Sequence, residues 1–178
     1  MNNLGSKQLP PLTYQRTMHR LRHLSLLLFL LAITPVTFAE GYAPPFELRE
    51  LASNNIHRLS DYKGKVIYLD FWASWCGPCR QSLPALAKLQ AEMNPDKFQV
   101  IAINVDENPN DGMAFLRKFP VNYTVLTERT GKTQRAYQLV GLPSSFLIDK
   151  KGEIIGSFQG FHPSHIPKLK KAIGYLLE

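Results

Sequence analysis

The apolar positions of this chain fall into alternating strand-like and helix-like stretches. Val66-Ile67-Tyr68-Leu69-Asp70-Phe71-Trp72 is almost continuously apolar, as in a strand covered on both faces. Downstream, Leu83, Leu86, Ala87 and Leu89 recur at helical spacing and predict a helix running to Met93, before Asn94-Pro95. Upstream, two short β-favouring runs at 46–51 and 56–59 flank the turn-forming triplet Ser53-Asn54-Asn55 and predict a hairpin. After the helix the pattern predicts a strand at 98–105, a polar loop at 106–110 and a helix at 111–119. A short strand at 123–126 and a short helix at 133–139 follow, the helix turning Tyr137 and Leu139 inward. Strands at 145–149 and 153–158 bracket the turn Lys150-Lys151-Gly152. A last helix begins near Pro163-Ser164 and places Ile166, Leu169, Ile173 and Leu176 on one face. Alternation of this kind predicts an α/β domain.

Residues 1–39 have a different pattern. A basic stretch ends at Arg22-His23, an apolar run extends from Leu24 to Val36, and Thr37-Phe38-Ala39 puts a small residue, Ala39, directly before Glu40. This is the layout of an export signal cleaved after Ala39, leaving a domain of residues 40–178. Met18-His19-Arg20-Leu21-Arg22 begins a more compact signal, so Met18 is an alternative start of translation. The apolar run is short for a membrane span and holds Ser25, Thr34 and Pro35; an uncleaved anchor is the alternative. No cysteine stands at the junction to carry a lipid.

Composition then narrows the function. The 178 residues, 44% of them hydrophobic, suit one domain with a core of its own. The net charge of +7 is concentrated at the front: four of the 21 basic residues and none of the 14 acidic ones precede residue 40, which leaves 17 against 14. That small excess does not suggest nucleic acid as a partner, and Lys168, Lys170 and Lys171 read as the solvated side of the last helix. The chain has two cysteines, Cys76 and Cys79, and therefore no disulfide framework; any internal disulfide joins these two. A structural zinc site needs about four ligands. His19, His23, His57, His162 and His165 are too scattered to complete one, so no metal and no cofactor are expected.

Both cysteines lie where the apolar strand gives way to the helix. Helix-start N–H groups lack intrahelical partners and carry the positive end of the dipole, which favours a thiolate at Cys76 over a thiol. Cys79, one helical turn on, is within reach of Cys76, so the pair can cycle between dithiol and disulfide. Pro78 suits a first turn that needs no N–H from it. Asp70 is the one carboxylate of its strand: if buried it is a base with a raised pKa, and if it sits at the strand end it is simply solvated. Trp75 is either a platform for a partner or a packed aromatic.

The run Asp70-Phe71-Trp72-Ala73-Ser74-Trp75-Cys76-Gly77-Pro78-Cys79 closely resembles the active-site segment of thioredoxin, departing from it chiefly at Ser74. Gly141-Leu142-Pro143-Ser144-Ser145-Phe146-Leu147-Ile148-Asp149 resembles the cis-proline loop and following strand of the exported TlpA/ResA/DsbE-like thioredoxins. Leu59-Ser60-Asp61-Tyr62-Lys63-Gly64-Lys65 resembles their approach to the catalytic strand, and the likeness spans roughly residues 44–176. It implies a thioredoxin fold with an N-terminal β-hairpin extension and a central αβ insertion. It also implies a redox-active Cys76–Cys79 disulfide, with Asp70 behind it assisting proton transfer at Cys79. Trp75, Gly77, Pro78, Leu142 and a cis Pro143 would then line the partner site, the backbone at Leu142 pairing with a bound peptide as an added strand.

The activity so implied is thiol–disulfide exchange: Cys76 attacks a disulfide of a partner protein and Cys79 resolves the mixed disulfide. A peroxidase of the peroxiredoxin group would need Pro-x-x-x-(Thr/Ser)-x-x-Cys, which Phe71 and Ala73-Ser74 do not provide. A non-catalytic peptide-binding module and a disulfide oxidase or isomerase remain as alternatives. Many ResA-like proteins carry a glutamate shortly after the second cysteine, where this chain has Ser82. With Asp70 and Gly77-Pro78 in thioredoxin fashion, the expected potential lies nearer thioredoxin, about −270 mV, than the oxidant DsbA, about −120 mV. That difference of about 150 mV is worth roughly 7 kcal/mol for two electrons and would decide direction. The expectation is a periplasmic, monomeric reductant recharged by a membrane electron donor of the thiol–disulfide type, with cytochrome c maturation as a candidate pathway.

Overall fold

The computed structural model describes residues 41–178, so the export segment read at 1–39 lies outside the described residues. Seven strands form one sheet: β1 (Glu47–Glu50), β2 (Ile56–Arg58), β3 (Val66–Trp72), β4 (Phe98–Asn104), β5 (Thr124–Thr127), β6 (Ser144–Ile148) and β7 (Ile154–Gln159). Four helices accompany them: α1 (Cys79–Glu92), α2 (Pro109–Lys118), α3 (Lys132–Ala136) and α4 (His165–Leu177). The strand order is β2-β1-β5-β4-β3-β6-β7. β4 is parallel to both of its neighbours, β3 and β5, and every other pairing is antiparallel.

All seven residues of β3 are buried, as its unbroken apolar run predicts. Side chains alternate across the sheet. Val66, Tyr68 and Trp72 share a cluster with Leu83, Leu86 and Leu89 of α1 and Leu169 and Ile173 of α4. Ile67, Leu69 and Phe71 pack on the other face with Ile101, Ile103, Phe46, Tyr62 and Tyr137. Alternation therefore assigns Asp70 to the α1 side. Gln90 ties α1 to β4, its Oε1 accepting the Val100 N–H at 2.7 Å.

The hairpin forms where expected, with Asn54 at φ +64° in its turn, a conformation asparagine tolerates. It joins the sheet through β1 against β5. β5, with α2, is the αβ segment inserted between β4 and β6. Most bounds agree with the sequence reading to within one residue, and two differ by more. α2 begins at Pro109, inside the expected polar loop, because Asn108 caps it by accepting the Asn110 N–H at 3.1 Å and proline suits the first helical position. α3 stops at Ala136, short of 139, and Gln138 at φ +52° turns the chain away; Tyr137 is buried as expected, Leu139 only half-buried. Among the described residues no helix is long and apolar enough to cross a membrane.

Candidate active site

β3 delivers Asp70, the loop after it delivers Trp75 and Cys76, and the first residue of α1 is Cys79. Cys76 and Cys79 are joined in a disulfide, their Cα atoms 5.3 Å apart. Cys79 is fully buried and Cys76, which the sequence places at a helix start as the attacking thiol, is itself only 4% exposed. Cys76 lies three residues ahead of the first residue of α1, in the turn closed by its own N–H to the Ala73 carbonyl at 3.1 Å, and Pro78 is the capping residue. The order of accessibility nevertheless favours Cys76 as the attacked sulfur. The first turn of α1 holds Arg80 and no acid, so nothing cancels the positive helix end that would steady a thiolate.

Around the disulfide, Trp75 is 71% exposed, which excludes the packed-aromatic reading, and Gly77 and Pro78 are exposed beside it. The Leu142–Pro143 peptide bond is cis. Pro143 is buried, Leu142 half-buried, and the Ser144 hydroxyl pins the loop by donating to the Gly141 carbonyl at 2.7 Å.

Asp70 is 1% exposed, which removes the solvated strand-end reading. Its Oδ1 accepts the Ser145 hydroxyl at 2.6 Å, while its Oδ2 is buried without a partner. Burial pushes its pKa up to about 7, with the Ser145 hydrogen bond acting in the opposite direction. Among the described residues no ion pair includes it. Burial, then the charge of Asp70, raises the phenols of Tyr68 and Tyr123, so both stay neutral. Ser82, the residue noted above as a departure from the resemblance, is buried and donates its hydroxyl to the Cys79 carbonyl at 3.4 Å. Asp70 is thus the carboxylate that β3 places on the face of the sheet where both cysteines pack with Tyr68 and Trp72.

Asp106 was not singled out by sequence. It is buried and accepts the Ser74 N–H at 3.1 Å, the Ser74 hydroxyl at 3.0 Å and the Asn104 side-chain amide at 2.8 Å, clamping the loop that carries Trp75 and Cys76. α2 closes over this clamp at Gly112, where a Cβ would stand 2.8 Å from the Asn104 side chain. The available signal was an acid directly after a buried strand, paired with the one departure from thioredoxin at Ser74. Among the described residues no three His, Cys, Asp or Glu side chains converge as metal ligands.

Comparison with known proteins agrees with this geometry. A crystal structure from Chlorobium tepidum, assigned as thiol:disulfide interchange protein DsbE, superposes with a TM-score of 0.74 at 41% identity, covering 80% of this chain and all of that one. The thiol-disulfide oxidoreductase ResA of Geobacillus kaustophilus is 36% identical over 112 residues, 63% of this chain and 64% of its own length. ResA of Bacillus thuringiensis is 32% identical over 118 residues, 66% of this chain and 68% of its own. The chain thus spans about two thirds of the length of the relatives it matches. The family model for Redoxin covers residues 39–173. With the sheet order, the cysteine pair at the head of α1 and the cis proline facing the same end, this chain belongs to the Redoxin family and has a thioredoxin-like fold.

Proposed function

We propose that the chain is a thiol–disulfide oxidoreductase that reduces disulfides of partner proteins. The observation that carries this reading is the Cys76–Cys79 disulfide set at a helix start, with a buried carboxylate, Asp70, on the face of β3 where the pair packs. In the reduced enzyme the Cys76 thiolate attacks one sulfur of a partner disulfide, forms a mixed disulfide and expels the other partner sulfur as a thiolate. Cys79 then gives its proton to the Asp70 carboxylate and attacks the Cys76 sulfur. The Cys76–Cys79 disulfide forms, the second partner sulfur leaves as a thiolate, and the partner gains two electrons. Trp75, Gly77, Pro78, Leu142 and Pro143 hold the partner strand during this exchange.

In this reading residues 1–39 export the domain of residues 40–178 to the periplasm, where it works as a monomer. An oxidising compartment does not supply electrons, so a membrane dithiol donor regenerates the enzyme. Disulfides formed between cysteines of apocytochrome c are the client class that the likeness to ResA suggests. Substitution Cys79→Ala removes the resolving thiol and should trap clients on Cys76, where they can be identified by mass spectrometry. No trapped protein, together with a potential above about −180 mV in a glutathione equilibration, would replace this reading with an oxidase or isomerase. N-terminal sequencing of the periplasmic fraction tests cleavage after Ala39.

A further inference from the structure

The face of the sheet under the cysteines holds a group that the mechanism above leaves unused. β6 runs antiparallel to β3 in a register that sets Ser145 opposite Asp70. Ser145 is itself buried, and its hydroxyl reaches Asp70 Oδ1 at 2.6 Å. The other oxygen, Oδ2, has no partner and no water-exposed surface. One carboxylate oxygen is thus occupied and the other is free. The Tyr68 hydroxyl has Ser145 as its hydrogen-bond neighbour, and neither oxygen of Asp70 receives a side-chain donor other than Ser145. Tyr68 from the same strand and Tyr123 from the segment before β5 face Asp70 as neutral phenols, and the Tyr123 hydroxyl is engaged with the Leu83 carbonyl at 3.2 Å. β4 presents Ala102 beside it, and from α1 Cys79 packs in the cluster of Tyr68 and Trp72, the neighbours of Asp70 on that face. No lysine, arginine or histidine forms an ion pair with it among the described residues.

We propose that Ser145 is the positioning residue for proton exchange at the cysteine pair, holding Asp70 by Oδ1 so that Oδ2 is the oxygen that takes the Cys79 proton. This rests on the reading of Asp70 given under Proposed function. A neutral hydroxyl can do this work where a cation would do it badly. A lysine or arginine at the same place would hold the carboxylate permanently ionised, whereas a single hydroxyl donor favours the ionised form by less and lets the acid return its proton near neutral pH. Ser145 belongs to the same segment as Pro143, so the strand that borders the partner site also steadies the acid.

Two measurements on the full chain test this. The first follows the Asp70 carboxyl carbon by NMR titration in the oxidised protein; the second follows disulfide reduction against pH. Ser145→Ala removes the donor to the charged form, so the Asp70 midpoint should move upward by about one to two pH units, and the acid limb of the rate profile should move with it. At a pH below both midpoints, each unit is about a tenfold loss of rate. Ser145→Thr keeps a hydroxyl and should restore both values. A midpoint unmoved in Ser145→Ala, or moved equally in Ser145→Thr, overturns the inference about Ser145. A midpoint that moves while the rate profile stays put shows that Asp70 does not serve Cys79, and overturns that earlier reading together with the proposal.

Discussion

Two carboxylates in this protein with almost no exposed surface, Asp70 on β3 inside the sheet and Glu128 at the corner between β5 and α3 nearer the outside, have opposite chemistry. Glu128 is 3% exposed. Burial alone would raise its pKa, but it accepts from the Thr130 N–H at 2.5 Å, the Thr130 hydroxyl at 2.6 Å and the Thr133 N–H at 2.9 Å, and the net effect holds it below the ordinary range. Asp70 has one donor, and burial wins. What separates a structural acid from one able to exchange a proton is therefore the balance between depth and donors: Asp70 is deep with one donor, Glu128 shallower with three.

The largest expected consequence is in stability against pH. A carboxyl whose folded pKa lies above its unfolded value loses stability as pH rises from the unfolded pKa to the folded one, here from about 4 to about 7. The full difference is on the order of 4 kcal/mol. Asp70→Asn should remove that decline, leaving the variant more stable than the parent at pH 8 by chemical denaturation. An unchanged slope between pH 4 and 7 would mean that Asp70 is ionised throughout and does not differ from Glu128 in kind.

The same substitution should lower turnover at neutral pH by about a hundredfold, the lower end of what a positioned general base contributes. Stability and activity thus move in opposite directions at Asp70. At Glu128 they should separate differently. Glu128→Ala strips the acceptor from two backbone N–H groups and a hydroxyl, at a cost of about 2 kcal/mol, without changing the pH profile of disulfide reduction. Because its pKa is lowered in the fold, its contribution is present above the unfolded carboxylate range and fades as pH falls through the folded value; the variant should lose sensitivity to acid. A shifted rate profile in Glu128→Ala would break the contrast.

How far these roles could be read from sequence depends on the distance of the partners. The strand, the cysteine pair and the helix lie within one continuous stretch, where hydrophobic period and spacing carry the information. Asp70 stood out because a charge in an unbroken apolar run is anomalous. Its state did not: the donor that tunes it, Ser145, is 75 residues away, and the strand register that pairs them is a property of the folded sheet. Asp106 escaped notice for a similar reason, since its partner Ser74 is 32 residues distant and its own neighbourhood reads as an ordinary polar loop. Short elements drifted in their bounds where capping decided them, as at Asn108 and Gln138.

Asp106 offers the finest test, because it is a third buried acid and lies beside the cysteines while being satisfied like Glu128. Proximity to the site would class it with Asp70; its donors class it with Glu128. It accepts two hydrogen bonds from Ser74, one from the backbone and one from the hydroxyl, and a third from Asn104. Ser74→Ala removes only the hydroxyl and leaves the backbone N–H in place, so the loss should be about 1 kcal/mol in stability. Nothing in that change touches the proton held by Asp70, and the acid limb of the rate profile should stay where it is in the parent. The reactivity of Cys76 toward a limiting alkylating agent should fall modestly, as the loop carrying Trp75 and Cys76 loses one of its anchors. A displaced acid limb in Ser74→Ala would show that the Asp106 clamp and the Asp70 site are coupled, and that treating the surroundings of each acid separately is the wrong description of this site.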